Sequence, residues 1–285
     1  MKISDAFENY LNAYVIPYQS KGTVSVFVNA KKSITTHGDI EITDLNAKFV
    51  LDWQTSLSRK GISNNTIRGY TEKLRKVLKY CEANGIKCLN YSLVNSPPKQ
   101  ETIPEWLTAK EVKKLINEAL KKRHGRSKVN RFRMAAIIST LYSSGLRVHE
   151  LCKLNRKDIE RKSITIIGKN GKPIIVFFDR RSIFHINNYL KLRNDSNPAL
   201  FTSQNGKRLT TDKVRECFRN LSKYFHKEVH PHTLRHSYAT NLLTNGCHLY
   251  TLKQLMGHSS IQSTQQYLHL VDKDLEEAFS KFHSL

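Results

Sequence analysis

Residues 230–243 read His230-Pro231-His232-Thr233-Leu234-Arg235-His236-Ser237-Tyr238-Ala239-Thr240-Asn241-Leu242-Leu243. Pro231 suits the start of a helix, and that helix would place His232 and Arg235 one turn apart on the same face. An imidazole and a guanidinium that point the same way suit the oxygens of a phosphate, because the planar guanidinium can bind two oxygens at once. The stretch therefore predicts a helix that carries part of a phosphate site. The spacing alone is common, so further motifs must support it.

Two other segments place polar residues among apolar neighbours. Arg147 follows Gly145, which ends a predicted apolar helix, and Glu150 lies three residues further on, where it can pair with the arginine. His258 lies at the predicted junction of two short helices, and Tyr267 lies nine residues later. Taken one at a time, these residues are more often a surface ion pair, a packing histidine and a core tyrosine.

A β-hairpin is predicted between these segments. Ser163–Ile167 and Ile174–Phe178 are short runs rich in β-branched and aromatic residues. The pair Asn170-Gly171 between them is typical of a tight turn, so the two runs are expected to form antiparallel strands. Lys169 and Lys172 would then lie at the tip of the hairpin.

The order of these residues resembles the active-site set of one family, the tyrosine recombinases, which include phage-type integrases and Xer recombinases. Residues 230–243 resemble the HxLRHxxAT box of this family, residues 255–259 (LMGHS) its LGH box, and residues 264–269 (TQQYLH) its TxxYxH box. The resemblance extends over essentially the whole chain. It also includes the arginine after the apolar helix and a lysine in the hairpin.

The resemblance implies a mainly α fold in two domains. Residues 1–95 would form a helical, SAM-like core-binding domain, 96–104 a linker, and 105–285 a mixed α/β catalytic domain with a small antiparallel sheet, the fold of DNA breaking-rejoining enzymes. Three prolines within residues 97–104 support the linker, because proline interrupts a helix. An amphipathic stretch at residues 271–282 would dock on a neighbouring protomer, as in relatives, or fold back on its own domain.

The family mechanism gives each residue an expected role. Tyr267 would attack the scissile phosphate and form a 3′-phosphotyrosine with a free 5′-hydroxyl. Arg147 and Arg235 would bind the non-bridging oxygens and stabilise the charge of the transition state. Such chemistry needs no metal, no cofactor and no ATP, and the sequence has no GxxxxGK[ST] loop.

Four further residues would support these three. His232 would assist proton transfer at the tyrosine, and His258 would donate a hydrogen bond to the phosphate. Lys169 would protonate the departing 5′-oxygen, with Lys172 as the alternative. Glu150 would hold Arg147 in place.

The charge of the chain predicts double-stranded DNA as its partner. The net charge is +23 over 285 residues, of which +5 falls in residues 1–98 and +18 in residues 99–285. Lysine and arginine side chains that neutralise phosphates release counterions, so this charge favours a polyanion. The candidate contacts to bases or phosphates lie on two predicted helices: Arg68, Arg75, Thr211, Lys213 and Arg215.

The composition of the chain argues against a membrane protein and against a disulfide-bonded protein. No apolar run approaches the ~20 residues of a membrane-spanning helix. The five cysteines form no CxxC pair and are expected to be reduced thiols, so a cytoplasmic protein is predicted. A type IB topoisomerase, a non-catalytic DNA-binding protein and a zinc-dependent binder built on the histidine-rich segment 226–258 remain as alternatives.

Within the family, the expected assembly is a homo-tetramer, or a hetero-tetramer with a second recombinase, on two DNA sites. The length leaves no room for an additional arm-binding domain before residue 1, which favours a simple Xer-like enzyme of chromosome segregation. The alternative hypothesis is that the chain is the integrase of a mobile element.

Overall fold

The computed structural model describes residues 1–100, 105–123, 127–161, 163–168, 171 and 173–257. The chain divides into two compact units, Met1–Thr102 and Ile103–Leu285. The division falls within the proline-containing segment that the sequence predicts as a linker. Each unit contains a hydrophobic core formed from its own residues.

The first unit is helical, as the sequence predicts. Its longest helix begins at a serine whose hydroxyl accepts a hydrogen bond from the backbone N–H of Thr66, which is the usual way to satisfy a free N–H of the first turn. Apolar residues at helical spacing then face a core around the fully buried Trp53. The α-helices of this unit are α1 (Ile3–Tyr10), α2 (Lys21–His37), α3 (Ala47–Arg59) and α4 (Asn64–Ala83).

The second unit is built around one buried helix, α6 (Lys128–Ser144), whose residues from Arg133 to Leu141 are all buried. Gly145 ends α6 in the left-handed conformation, with φ of +63°. Before it, a capping box formed by Thr108 and Glu111 begins α5 (Ala109–Leu120). The described α-helices after α6 are α7 (Val148–Leu151), α8 (Arg180–Leu190), α9 (Thr211–Ser222), α10 (Pro231–Thr244) and α11 (Leu249–Leu255).

The predicted hairpin is present, with one strand shifted. Strand β1 (Ser163–Ile167) is antiparallel to β2 (Pro173–Phe177), and Thr165 pairs with Ile175. The sequence predicts a second strand from 174 to 178, so the structure begins and ends it one residue earlier. Proline has no N–H to donate to a neighbouring strand, yet it is tolerated as the first residue of a strand.

No helix in the described part of the chain is long and apolar enough to cross a membrane. The longest helix of the first unit, α4, carries charged residues throughout its length.

Candidate active site

Arg147 and Glu150 form a local pair at the start of α7. Arg147 is the N-cap residue of this short helix, and Glu150 is its third residue. The backbone N–H of Arg147 donates to Glu150 Oε2 at 2.7 Å, and its guanidinium donates to Oε1 at 3.2 Å. Glu150 is only 2% exposed. The predicted contact is therefore confirmed, and the buried carboxylate fixes both the backbone and the side chain of the arginine.

Arg235 is held by backbone carbonyl groups from two other elements. It lies in the first turns of α10 and is 6% exposed. Its guanidinium donates to the carbonyl oxygen of Gly145, at the end of α6, and to that of Met256 at 2.5 Å, just after α11. The sequence places Arg235 on the same helical face as His232 but gives no sign of these partners, which lie 90 and 21 residues away.

A close approach of α10 to Gly145 makes this arrangement possible. A Cβ atom on Gly145 would lie 2.3 Å from Cδ1 of Tyr238, well inside van der Waals contact. The aromatic ring therefore occupies the space that any larger residue would need. Burial raises the pKa of Tyr238 to about 12, which keeps its hydroxyl protonated.

His232 lies at the surface beside the two arginines. Its side chain is exposed, but packing by surrounding protein atoms lowers its pKa, and the nearby charges of Arg235, Arg215 and Arg147 lower it further. The imidazole is therefore neutral at neutral pH, and a neutral ring can accept a proton.

His149 is a neighbour that the sequence interpretation does not include. Its Nε2 atom lies 3.8 Å from Glu150 Oε1, and partial burial lowers its pKa. The only sequence signal is its place between Arg147 and Glu150, which sets it on the first turn of α7 beside both.

The remaining catalytic candidates, Lys169 with its alternative Lys172, His258 and Tyr267, lie outside the described residues. Gly257, directly before His258, is described. A Cβ atom on Gly257 would lie 2.2 Å from Cδ1 of Ile174 in β2. The chain that leads to His258 therefore packs directly on the hairpin.

The DNA-contact candidates of the second unit lie on the exposed side of α9. Thr211 is the first residue of this helix. Lys213 pairs with Glu216 at 2.8 Å, and Arg215 pairs with Asp212 at 2.8 Å. Both cationic side chains are about half exposed, with relative accessibilities of 49% and 53%. Such pairs are weak in water and can exchange their carboxylate for a phosphate.

The candidates of the first unit have internal partners. Arg68 donates to the carbonyl oxygen of Pro97 at 2.9 Å, and Arg75 donates to that of Tyr91 at 3.3 Å. Arg75 also lies 3.4 Å from Glu72. Both arginines therefore fasten the segment after α4 to that helix, a structural role that the sequence pattern did not show.

The histidine-rich segment offers no metal cluster in the part of the chain that the structure describes. His226 lies 3.0 Å from Glu111, and His230 lies 3.2 Å from Glu228. Across the described ranges, no group of three histidine, cysteine, aspartate or glutamate residues is arranged to hold a metal ion.

Two family models match the chain. Residues 105–274 match the phage integrase family, and residues 2–95 match the phage integrase SAM-like domain. A tyrosine recombinase of Thermosipho africanus is 30% identical, covering 98% of this chain and 99% of its own. Tyrosine recombinase XerC of Thermodesulfovibrio yellowstonii is 32% identical, with 97% and 95% covered. Tyrosine recombinase XerA of Pyrococcus furiosus is 30% identical, with 99% and 95% covered.

Solved structures agree in fold. The integrase of transposon Tn1549 in complex with transposon right end DNA gives a TM-score of 0.78 at 19% identity, and all of each chain is covered. A lambda integrase dimer bound to a COC′ core site gives 0.77 at 16% identity, covering 94% of this chain and 77% of that one. Since the family model matches more than half of the chain and the relatives match nearly all of it, the chain belongs to the phage integrase family and is an Xer-like, tyrosine-type site-specific recombinase.

Proposed function

We propose that the chain cleaves and rejoins double-stranded DNA at specific sites through a 3′-phosphotyrosine formed by Tyr267. One observation supports this most strongly. Arg147 begins α7 and Arg235 lies on α10, yet both are held near the end of α6. The buried carboxylate of Glu150 binds Arg147, and the carbonyl oxygen of Gly145 binds Arg235. Two immobilised guanidiniums at one place suit a phosphate that gains negative charge in the transition state.

The arginines act on the non-bridging oxygens. Because Arg147 and Arg235 are held before DNA binds, little reorganisation is needed when the charge develops. Their attraction for the phosphate takes the place that a metal ion holds in many other phosphoryl-transfer sites. His258 adds a hydrogen bond to the same phosphate.

Proton transfer divides between two groups. Neutral His232 accepts the proton that the Tyr267 hydroxyl loses when its oxygen attacks phosphorus. Lys169 gives a proton to the departing 5′-oxygen, which is otherwise a poor leaving group. The phosphotyrosine bond retains the energy of the broken phosphodiester, so the reverse attack by a 5′-hydroxyl rejoins the strand without nucleotide hydrolysis.

The proposed assembly is a tetramer on two DNA sites, formed by this chain alone or with a second recombinase. The cytoplasmic location predicted from the reduced cysteines is part of the same proposal. The XerA and XerC relatives favour an Xer-like enzyme acting in chromosome segregation over the integrase of a mobile element.

A suicide substrate tests the nucleophile. A library of nicked duplexes with randomised arms is mixed with the chain, and covalent adducts are isolated on a denaturing gel and sequenced. We expect a 3′-linked adduct whose arms share one sequence, absent for Tyr267→Phe and retained for Tyr250→Phe, which alters an exposed tyrosine on α11. An adduct that survives Tyr267→Phe would refute the assignment.

A modified leaving group tests the lysine. A 5′-bridging phosphorothiolate departs without needing a proton, so it should restore cleavage by Lys169→Ala to near the wild-type rate. If only Lys172→Ala is restored, the general acid is Lys172 instead.

A further inference from the structure

A cleft on the second unit lies between the start of α6, the loop after Phe201 and one side of α9. Its volume is about 390 Å³, and its lining includes Asn130, Arg131, Arg133, Asn205 and Lys213. Among the described residues of its lining, three are cations and one, Glu216, is a carboxylate. The cleft therefore has an excess of positive charge. None of the described residues proposed for catalysis, Arg147, His232 and Arg235, lines it.

Arg133 is the most unusual of these residues. It is 5% exposed, and among the described residues its guanidinium makes one hydrogen bond, to the carbonyl oxygen of Thr202 at 2.6 Å. No carboxylate in the described ranges pairs with it. A buried guanidinium carries five N–H donors and a charge that is costly to leave uncompensated, so such a residue is normally paired.

Two neighbours have unused hydrogen-bonding atoms at the same cleft. Arg131 donates through Nη1 to the carbonyl oxygen of Leu120 at 2.9 Å, while its buried Nε atom has no partner within the described part of the chain. The buried Oδ1 atom of Asn130 has none either. A half-turn of this amide exchanges its oxygen and nitrogen, which would place the NH2 donor at the position of this unpartnered oxygen.

Lys213 completes the set from the opposite wall. Its ammonium group lies 2.8 Å from Glu216 and is about half exposed, so the pair is weak and the lysine can turn to a stronger anion. A phosphate accepts several hydrogen bonds at once and binds the guanidinium fork well. A carboxylate has fewer acceptor oxygens for the same donors.

We propose that this cleft binds a backbone phosphate of the DNA duplex, at a position separate from the scissile phosphate. The inference rests on the proposed function, because it takes the DNA to be the partner. The cleft has room for a phosphate and its adjoining sugar. With a phosphate in the cleft, Lys213 contacts the DNA backbone, and contacts to bases fall to other residues of α9. Phosphate contacts of this kind set the register of a protein on DNA without reading its sequence.

The salt dependence of binding tests the proposal. Affinity for a labelled duplex is measured by fluorescence anisotropy over a range of KCl concentrations for the full chain and for the double variant Arg131→Gln/Lys213→Gln. The loss of one phosphate contact should weaken binding and reduce the slope of log K against log[salt] by about 0.9. The matched control is Lys191→Gln, which removes an exposed charge after α8, outside the cleft, and should keep the wild-type slope.

Thermal unfolding in potassium phosphate and in KCl of equal ionic strength separates the two sources of phosphate. If inorganic phosphate stabilises the wild type but not the double variant, while the salt slope for DNA is the same in both, the cleft takes free phosphate and the DNA assignment is wrong. A double variant with unchanged slope and unchanged response to phosphate overturns the proposal entirely.

The adduct assay separates this proposal from the proposed function. A wild-type chain that forms the Tyr267 adduct, with a slope equal to that of the double variant, refutes the cleft and leaves the recombinase function intact. A wild-type chain that forms no adduct refutes the proposed function.

Discussion

Glu150 is a buried carboxylate whose two oxygens both bind Arg147. Glu150→Gln preserves the shape of the side chain but removes its charge and places an amide nitrogen opposite a donor. We expect the free energy of unfolding to fall by about 1–3 kcal/mol, the cost of an unsatisfied buried polar group. Strand cleavage should fall more than duplex binding, because Arg147 loses its orientation. Urea denaturation and suicide-substrate rates measure the two effects.

The control for this prediction is Glu160→Gln, which alters an exposed carboxylate of the same unit. It should change stability by less than about 0.5 kcal/mol. A stable Glu150→Gln protein that cleaves at the wild-type rate would contradict the role of Glu150 as the residue that positions Arg147.

His236 makes stability depend on pH. Burial lowers its pKa to about 4, and the charges of His232 and Arg235 contribute. Because the unfolded chain titrates near 6.5, it binds more protons than the folded chain between these values, and stability falls as the pH decreases. We expect a loss of about 2 kcal/mol between about pH 7 and pH 5. Urea denaturation at the two pH values checks it.

The variant His236→Gln removes this titration. Over the same pH interval, the free energy of unfolding of this variant should decrease less than that of the wild type, and the difference between the two decreases should be about 2 kcal/mol. Equal losses for the two proteins would show that His236 does not contribute.

The sequence predicts single residues best where the partner is close along the chain. Glu150 lies one helical turn from Arg147, so their contact could be read from spacing. The carbonyl partners of Arg235 could not, because they depend on how α6, α10 and α11 pack. The internal contacts of Arg68 and Arg75 were missed for the same reason.

At the level of elements, the end of α6 is the most constrained point in the second unit. Gly145→Ala forces a side chain into the left-handed conformation, at about 1–2 kcal/mol, and into the ring of Tyr238, at about 1–3 kcal/mol more. Because Arg235 binds the Gly145 carbonyl, cleavage should also fall strongly. Thermal or urea unfolding and the adduct assay measure these losses.

Gly246→Ala is the matched variant. Gly246 also has positive φ, of +81°, but apart from its chain neighbours no described residue has an atom within 4 Å of the position of its Cβ. It should therefore show the conformational cost alone. Equal destabilisation by Gly145→Ala and Gly246→Ala would mean that the contact with Tyr238 does not contribute to the loss of stability.

Helix ends were predictable to within about a residue where a capping residue marks them. Ser63, Thr108 and Gly145 lie where α4, α5 and α6 begin or end, because capping depends on neighbours in sequence. The second strand was predicted one residue late. Proline has a low propensity for strands, so the sequence places the start of β2 after Pro173. In the structure Pro173 pairs with Ile167 and is the first residue of the strand.

At the scale of the whole molecule, the two units are expected to fold separately, since each has its own core. Residues 1–102 carry 14 basic and 9 acidic residues, and residues 103–285 carry 33 and 15. We therefore expect each fragment to unfold cooperatively, and the larger one to bind duplex DNA with the steeper dependence on salt. Circular dichroism and anisotropy of both fragments test this.

A fragment that is unfolded alone but folded within the full chain would show that one unit depends on the other. The full chain is the reference for both measurements. Similar salt slopes for the two fragments would show that net charge does not report the number of phosphate contacts.

The family could be recognised from sequence because its boxes occur in a fixed order between residues 147 and 269, and both family models match. The basic cleft could not be foreseen. Its residues come from Ala119 and from segments 130–134, 203–205 and 213–220, and none of these carries a local pattern that brings them together.

Gly145 ends α6, and its carbonyl oxygen accepts a hydrogen bond from Arg235. The length of this buried helix therefore affects the position of a catalytic arginine. One residue inserted in α6 would turn its end by about 100° and advance it by about 1.5 Å. The carbonyl would then face away from the guanidinium even if every site residue were unchanged. Among descendants of this gene, insertions and deletions should accumulate at exposed turns such as Asn84-Gly85 and be eliminated from α6.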